Sequence, residues 1–228
     1  MTSPNAVMIF AAGFGTRMGS LTADCPKPLI KVAGRPLIDH ALDLAAGAER
    51  VVVNTHYLGE QIANHLKGRD VHVSQETPDI LDTGGGLRKA LPLLGQEPVV
   101  TLNSDAVWTG PNPLETLRAA WIPEEMDALL LLVSREAARG YHGEGDFLLG
   151  GDGRLSRGPG LVYSGAQIIR TERLAEISEK AFSLNLLWNE MLPLGRVFGV
   201  THPGGWCDVG HPGGIAEAET MLAEAVDV

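Results

Sequence analysis

Glycines, an arginine and a lysine near the start of the chain form a group suited to binding phosphate. An apolar run of strand length, residues 7–10, is followed by Gly13 and Gly15, and glycine lets the backbone approach a ligand closely. Successive amides in such a turn can form an anion-binding concavity. Arg17 adds a planar fork of donors that matches phosphate oxygens, and Lys27 stands between two stiffening prolines. The pattern predicts a polyphosphate-binding site.

Two well-known phosphate motifs do not fit this glycine turn. A Walker A loop would continue with Gly-Lys-Ser/Thr, which is absent here. The dinucleotide fingerprint has a different glycine spacing from Gly13-x-Gly15-x-x-x-Gly19. It also needs an acidic residue after the second strand, and the apolar run at 51–54 ends without one. The turn therefore indicates a different class of nucleotide site.

Two aspartates stand where a catalytic metal ion can be bound. Asp105 follows the apolar run at 98–102, and Asp208 lies in Trp206-Cys207-Asp208-Val209-Gly210. Open α/β sheets place ligand groups just beyond the carboxyl ends of their strands. Mg²⁺ bound together with nucleotide phosphates typically uses one or two carboxylates. The alternative for each aspartate is a helix cap at a turn.

These motifs together resemble those of a known enzyme family. Ala11-Ala12-Gly13-x-Gly15-Thr16-Arg17-Met18, with Pro26-Lys27-Pro28-Leu29, resembles the sugar-1-phosphate nucleotidylyltransferases. The resemblance extends through most of the chain to Gly210, and it is greatest to the short bacterial N-acetylmuramate-1-phosphate uridylyltransferases. It implies an α/β, Rossmann-like three-layer fold with a central mixed, mostly parallel sheet. It also implies an enzyme of nucleotide-sugar biosynthesis, here for the cell wall.

The resemblance assigns roles to the residues named above. Arg17, Lys27, Asp105 and Asp208 are expected to be catalytic, with Asp105 and Asp208 binding Mg²⁺. In this family an NTP and a sugar-1-phosphate give an NDP-sugar and pyrophosphate. The sugar phosphate is already an anion, so catalysis rests on positioning and charge neutralisation rather than on a protein nucleophile.

The nucleotide is expected to contact the glycine turn and a second loop. The sequence Thr83-Gly84-Gly85-Gly86 is predicted to precede a helix that begins at Leu87, with Thr83 as a simple helix cap as the alternative. By resemblance, this loop and the preceding strand end read the base. The residues expected to bind nucleotide are Ala11, Ala12, Gly13, Gly15, Thr16, Gln75, Glu76, Gly84, Gly85 and Asn103.

The sugar phosphate is expected to contact the second half of the chain. His142-Gly143-Glu144-Gly145-Asp146-Phe147 resembles a loop of the muramate-type enzymes and lacks the Glu-Lys-Pro of many hexose-1-phosphate relatives. Its glycines leave room for a lactyl substituent. The alternative role for Asp146 is that of a turn residue. The residues expected to bind this substrate are Asp146, Phe147, Ser164, Gly165 and Asn185.

The order of predicted elements favours one domain over residues 1–228. Strands and helices alternate, which predicts a mostly parallel sheet covered on both faces. The nucleotide-binding half is expected at about 1–110 and the sugar-phosphate half at about 111–228, with Asp152-Gly153 as a hairpin signal. The predicted strands are 51–54, 71–74, 98–102, 128–134, 161–169 and 196–201, and the predicted helices are 35–47, 58–66, 87–94, 113–121, 171–177, 184–192 and 212–225.

The composition of the chain indicates which classes of partner it is expected to bind. The formal net charge is −10 in 228 residues, and no basic block is present, so nucleic-acid binding is disfavoured. No apolar run reaches membrane-spanning length and no signal peptide is recognisable, so no membrane partner is expected. Two cysteines make no disulfide framework, which predicts a cytoplasmic protein. A monomer or homodimer is expected, and the histidines are interpreted as core or rim residues.

Three further functions remain open from the sequence. Within the family, the substrates can instead be those of a guanylyl- or thymidylyltransferase, although UTP and N-acetylmuramate-1-phosphate are expected. A phosphocholine-type cytidylyltransferase would need an aromatic cage for the quaternary ammonium; aromatic residues make up only 5% of the chain, and no cluster is evident. A non-catalytic nucleotide-sugar sensor would have lost Arg17, Lys27 or an aspartate.

Overall fold

The computed structural model describes residues 4–95 and 98–226. Its strands are β1 (Ala6–Phe10), β2 (Lys31–Val32), β3 (Arg35–Pro36), β4 (Arg50–Thr55), β5 (His72–Gln75), β6 (Val99–Asn103), β7 (Ala106–Trp108), β8 (Ala128–Val133), β9 (Ala138–Arg139), β10 (Phe147–Leu149), β11 (Leu155–Arg157), β12 (Val162–Ile169), β13 (Val197–Thr201) and β14 (Trp206–Asp208). Its α-helices are α1 (Leu37–Leu44), α2 (Gly59–Leu66), α3 (Asp82–Leu94), α4 (Pro113–Ala120), α5 (Asn185–Met191) and α6 (Pro212–Val226). Short 3₁₀ helices cover Thr16–Thr22, Lys27–Leu29, Glu172–Ala175 and Leu192–Leu194.

The centre of the molecule is a seven-stranded sheet in the order β13-β8-β12-β6-β1-β4-β5. The pairs β13–β8, β6–β1, β1–β4 and β4–β5 are parallel, and β12 runs antiparallel to both of its neighbours. The predicted mixed, mostly parallel α/β fold is therefore confirmed. β6 from the first half of the chain pairs directly with β12 from the second, so the sheet is continuous through both halves.

Alternation along β1, an interior strand of the sheet, shows why helices cover both faces. Val7 and Ile9 of β1 point into a core that includes Leu114 of α4. Met8, between them, points into a second core that includes Leu87 of α3. Successive residues of a strand face opposite sides, and a strand apolar on both sides must be covered on both. The parallel strands consequently bring their carboxyl ends, with the polar residues that follow, to one edge.

The second glycine-rich loop differs from its prediction. α3 begins at Asp82 rather than Leu87, so Gly84 and Gly85 lie in its first turns. The amides of both glycines donate to the carbonyl of Phe182, at 2.8 and 3.1 Å. A Cβ on Gly85 would stand 2.6 Å from the carbonyl oxygen of Lys180. The glycines therefore permit close packing of a neighbouring segment and do not form a free turn before the helix.

Two smaller features complete the architecture around the main sheet. The predicted hairpin is confirmed as β10–β11, with Gly153 at φ +82° in its turn. A three-stranded sheet in the order β7-β14-β9, which the sequence did not predict, lies beside the main sheet. It carries Asp208 at the end of β14. The predicted helix at 171–177 is a shorter 3₁₀ helix, Glu172–Ala175.

Within residues 4–95 and 98–226, no helix has both the length and the hydropathy needed to cross a membrane.

Candidate active site

The glycine turn after β1 packs closely against the side chains of Thr22 and Lys27. Gly15 has φ +65°, and a Cβ there would stand 2.9 Å from Cγ2 of Thr22 and 3.0 Å from Cβ of Lys27. Only glycine satisfies both requirements. In the part of the chain that the structure describes, the amides of Gly13, Phe14 and Gly15 have no hydrogen-bond acceptor. The turn thus offers free amides of the kind that bind phosphate.

Each of the two predicted carboxylates faces one of the two predicted cations. Nζ of the buried Lys27 lies 2.6 Å from Oδ2 of Asp105. Nη1 of Arg17 lies 3.9 Å from Oδ2 of Asp208, while the Arg17 side chain is 68% exposed. A Cβ on Gly210 would stand within 2.8 Å of both Nη1 of Arg17 and Oδ2 of Asp208. The structure therefore brings all four predicted catalytic residues together.

The small sheet is what places the two aspartates side by side. Asp208 in β14 is paired with Ala106 in β7, and the amide of Val209 donates to the carbonyl of Asp105 at 2.9 Å. Burial and the nearby charge of Asp105 raise the pKa of Asp208, although Lys27 and Arg17 act in the opposite direction. A carboxylate whose ionisation is opposed in this way is stabilised by an additional positive charge. The pair can therefore receive a cation.

A first cavity of about 300 Å³ lies over the glycine turn. It is lined by Arg17, Lys27, Asp105 and most of the residues predicted to bind nucleotide, namely Ala11, Ala12, Gly13, Gly15, Thr16, Glu76 and Asn103. Gln75, Gly84 and Gly85 are not part of its wall. Gln75 is exposed at the end of β5, and the two glycines face residues 180–182 instead. Direct base contact by those three residues is thus not supported by their positions.

A buried hydrogen-bond chain shapes the side wall of this first cavity. Oδ1 of Asn54 accepts from the amide of Ala11 at 2.8 Å, and its Nδ2 donates to Oε1 of Glu76 at 2.7 Å. Oε2 of Glu76 accepts from the amide of Leu81 at 2.7 Å. Glu76 therefore fixes the loop before α3 against the strand ends. Asn54 was not predicted as a site residue, although its place at the end of an apolar strand was a usable signal.

A second, larger cavity of about 590 Å³ adjoins the first. All five residues predicted to bind the sugar phosphate line it: Asp146, Phe147, Ser164, Gly165 and Asn185. Asp208 lines this cavity, and six residues line both cavities: Phe10, Arg17, Asp82, Thr83, Asn103 and Asp105. The predicted carboxylate and arginine thus mark the junction of the two cavities. Asp82 and Thr83 line both cavities but were not among the predicted site residues, although Thr83 stood in the loop expected to read the base.

Three of the residues predicted to bind the sugar phosphate already form hydrogen bonds or are buried within the protein. Oδ2 of Asp146 accepts from the amide of Tyr163 at 2.9 Å, and the hydroxyl of Ser164 donates to the carbonyl of Leu131 at 2.6 Å. Phe147 is fully buried. These residues shape the wall, so any contact they make with a ligand adds to these internal roles.

Aromatic rings do line the second cavity, and the expectation that no aromatic cluster lies near the pocket is wrong. The ring of Trp188 meets those of Phe147 and Tyr163 edge-on, with centroids 5.9 and 5.0 Å apart. All three line the cavity. They come from β10, β12 and α5, so only the folded chain shows that they are neighbours. Arg157 lies over this group, 4.7 Å from the centroid of Phe147.

Two histidines also belong to the second cavity. The rings of His142 and His211 stack with centroids 5.2 Å apart and an interplanar angle of 29°. Both line the cavity together with Asp208. Their interpretation as rim residues agrees with this position, whereas His56 lies at a strand end with Nδ1 2.9 Å from the carbonyl oxygen of Glu76.

Residues 7–203 match the family described as the MobA-like NTP transferase domain. The chain belongs to this family. It is 41% identical to the N-acetylmuramate alpha-1-phosphate uridylyltransferase of Caulobacter vibrioides, over 98% of this chain and 99% of that protein. It is 37% identical to the protein of the same name from Neisseria meningitidis serogroup B, over 94% and 96% of the two chains. Membership of the MobA-like NTP transferase family makes the chain a nucleotidyltransferase.

A solved structure has a similar fold over nearly the whole chain. A crystal structure of HddC from Yersinia pseudotuberculosis has a TM-score of 0.75 and 21% identity, covering 96% of this chain and 99% of that one. At that identity the comparison shows the fold alone. The α/β fold is thus shared with a solved structure independently of close sequence similarity.

Proposed function

We propose that this chain transfers the uridylyl group of UTP to N-acetylmuramate α-1-phosphate, giving the UDP-sugar and pyrophosphate. The observation that carries the proposal is the similarity to two uridylyltransferases of that name, which extends over nearly the whole of each chain. The two adjoining cavities support it, because one can take the nucleotide and the other the sugar phosphate.

In this proposal the reaction takes place at the junction of the cavities. An oxygen of the sugar phosphate attacks the α-phosphorus of UTP and forms the new P–O bond. The bond from the α-phosphorus to the β-bridging oxygen breaks, and its electron pair leaves with pyrophosphate. The attacking group is already an anion, so no base has to remove a proton. The protein contributes alignment and positive charge where three phosphates and a sugar phosphate meet.

In this proposal the glycine turn and the two cations bind the phosphates of UTP. The free amides at residues 13–15 and the exposed guanidinium of Arg17 bind the β- and γ-phosphates, which become the leaving group. Lys27, held beside Asp105, places its ammonium at the α-phosphate. Glu76 and Asn54 hold the loop that borders the base.

Asp105 and Asp208 fit a magnesium ion in this scheme. Burial and the charge of Asp105 raise the pKa of Asp208 even with Lys27 and Arg17 nearby, so a further positive charge would stabilise the two carboxylates. In the described part of the chain, no group of three or more His, Cys, Asp or Glu side chains is arranged around a metal position. Two carboxylates suit Mg²⁺, which completes its shell with substrate phosphates and water. When bound there, Mg²⁺ would neutralise charge on the phosphates that meet.

The proposal is tested by pyrophosphate release from a matrix of substrates. Four nucleotides (UTP, CTP, GTP and dTTP) are combined with the 1-phosphates of N-acetylmuramate, N-acetylglucosamine, glucose and mannose, and with phosphocholine. The expected result is the highest kcat/KM for UTP with N-acetylmuramate 1-phosphate. A preference for GTP with mannose 1-phosphate, for dTTP with glucose 1-phosphate or for CTP with phosphocholine would replace the proposed substrates. Binding of nucleotide-sugar without turnover would indicate a sensor.

A further inference from the structure

Arg157 is the charged side chain of the second cavity's aromatic wall. Its guanidinium carbon lies 4.7 Å from the ring centroid of Phe147 and 5.4 Å from that of Trp188. Its Nη2 donates to Oδ1 of Asn185 at 2.7 Å and to Oδ1 of Asn189 at 3.3 Å. Two rings and two amides therefore hold the guanidinium plane in a fixed orientation at the cavity wall.

Among the described residues, the guanidinium of Arg157 has no ionic partner, since no carboxylate lies within 4.0 Å of it. The carboxylate of Asp146, which also lines this cavity, is close enough for its charge to favour the charged guanidinium, and its Oδ2 accepts a hydrogen bond from the amide of Tyr163. The contacts made by Nη2 leave the other donors of the fork available. This wall consequently presents a fixed positive charge to the cavity.

The asparagine that supports Arg157 is itself oriented. Nδ2 of Asn185 donates to Oγ of Ser183 at 3.0 Å, which directs its amide oxygen towards the guanidinium. Ser183 and Asn185 both line the second cavity. The predicted substrate residue Asn185 thus acts through Arg157 in this arrangement, because its oxygen is already used.

The position of Arg157 indicates which part of the sugar phosphate it can contact. Arg17 and Asp105 line both cavities, whereas Arg157 lines only the second. A sugar whose 1-phosphate lies at the junction therefore extends its ring into the second cavity and presents its other substituents to the wall there. The ring faces of Phe147 and Trp188 are covered by a cation, which disfavours a second cation and favours an anion.

We infer that Arg157 is a specificity-determining residue, binding a carboxylate carried by the sugar ring of the acceptor substrate. The inference rests on the proposed function, since N-acetylmuramate differs from N-acetylglucosamine by a lactyl ether whose carboxylate is such a group. A guanidinium fork suits a carboxylate bidentately. Phe147, Trp188 and Asn185 are then the support that fixes the fork.

The test compares two acceptors that differ only in the lactyl group. kcat/KM is measured with UTP and the 1-phosphates of N-acetylmuramate and N-acetylglucosamine, for wild type, Arg157→Gln and Arg157→Lys. Arg157→Gln is expected to lower kcat/KM about 10- to 100-fold for N-acetylmuramate 1-phosphate, as for loss of charged hydrogen bonds, and less than about threefold for N-acetylglucosamine 1-phosphate. Arg157→Lys should recover part of the loss, because it restores the charge without the fork.

Arg154→Gln is the matched control. Arg154 is an arginine on the same hairpin that also lies over an aromatic ring, 5.0 Å from the centroid of Phe198. It pairs with Asp152 at 2.6 Å and lines neither cavity. Its replacement is expected to leave the ratio of the two kcat/KM values unchanged.

The other possible results distinguish failure of the role of Arg157 from failure of the proposed function. An equal loss for both acceptors in Arg157→Gln would show that Arg157 only supports the wall, and unchanged values would show that it makes no contact. Either result would refute the role of Arg157 while wild-type preference for N-acetylmuramate 1-phosphate upheld the proposed function. Absence of that preference in the wild type would overturn both. Dissociation constants of UDP-N-acetylmuramate and UDP-N-acetylglucosamine, measured by calorimetry, give the same comparison without turnover.

Discussion

The ammonium group of Lys27 lies 2.6 Å from Oδ2 of Asp105, and Asp105 borders both cavities of the site. Lys27 is 8% exposed, so this charge is held at one place by the packed stem of its side chain. A Cβ on Gly15 would stand 3.0 Å from Cβ of Lys27, so glycine at this position leaves room for the Lys27 side chain. The contact between Lys27 and Asp105 therefore fixes a positive charge next to a carboxylate that is proposed to bind metal.

Lys27→Met is expected to reduce kcat by about 100-fold or more, with a smaller change in the dissociation constant of UTP. Methionine keeps much of the buried stem and removes the charge, which matters most as charge shifts in the transition state. Rapid-quench measurement of the chemical step, with UTP binding measured by calorimetry, separates the two effects. A raised KM with unchanged kcat would instead mean that Lys27 binds ground state and transition state equally.

Arg17→Ala is expected to raise the KM for UTP about tenfold or more, because its fork is proposed to bind the triphosphate through charged hydrogen bonds. Its side chain is 68% exposed, so stability should change little. Arg35→Ala is the control, since Arg35 pairs with the exposed Asp43 and lines neither cavity. Equal KM values for wild type and Arg17→Ala would remove Arg17 from the nucleotide site.

Asp208→Asn is expected to raise the melting temperature in metal-free buffer at neutral pH while impairing turnover. The pKa of Asp208 is raised above its ordinary value of 3.8 by burial and by Asp105. The folded state therefore binds a proton more tightly than the unfolded state, and ionisation of Asp208 costs stability as pH rises above about 3.8.

The stability gain from Asp208→Asn should consequently shrink as the pH falls towards 3.8, where Asp208 is increasingly protonated in both states. Thermal unfolding between pH 4 and pH 8, with a chelator present, measures this directly. A gain that is independent of pH, or a lower melting temperature at pH 8, would contradict the raised pKa.

Gly165→Ala is expected to reduce activity beyond its cost in stability. Gly165 has φ +86°, and a Cβ there would stand 2.8 Å from Cγ of Asn103, a residue of both cavities. Gly47→Ala is the matched control, because Gly47 has φ +84° and no described atom lies within 4 Å of a Cβ there. The positive φ should cost each variant about 1–2 kcal/mol of stability, and Gly165→Ala should lose more because the side chain of Asn103 must also shift.

Only Gly165→Ala should raise the KM of the sugar phosphate, because it displaces the side chain of Asn103. Steady-state kinetics below the melting temperature of both variants gives the comparison. If the two variants retained the same activity, the contact between Gly165 and Asn103 would have no part in substrate binding.

The strands, the order of elements and the glycine turn could be predicted from the sequence because their signals are local. Residues 7–10 form a continuous apolar run, and the glycines, Arg17 and Lys27 follow within a short stretch. Asp105 was predicted as a site residue because it lies just beyond the end of a buried strand. In each case neighbouring residues alone carry the information.

The parts that were missed depend on contacts between distant segments. β7, β14 and β9 are two or three residues long, too short for a periodic pattern, and their pairing is what places Asp208 beside Asp105. The three glycines of α3 suggested a loop, but they are helical, with Gly84 and Gly85 packed closely against residues 180–182 and Gly86 against Glu76 and Asn54. Likewise, Arg157 and Trp188 become neighbours only through the packing of β11 against α5.

Asp105 and Asp208 are proposed to hold the magnesium ion at which the two substrates meet. The most direct test is the single-turnover rate with UTP and N-acetylmuramate 1-phosphate, measured against Mg²⁺ concentration for wild type, Asp105→Asn and Asp208→Asn. We predict a saturable Mg²⁺ dependence in the wild type and, at saturating Mg²⁺, a rate at least about 100-fold lower in each folded variant. Wild-type rates in either variant, or full activity of the wild type in excess chelator, would contradict the claim.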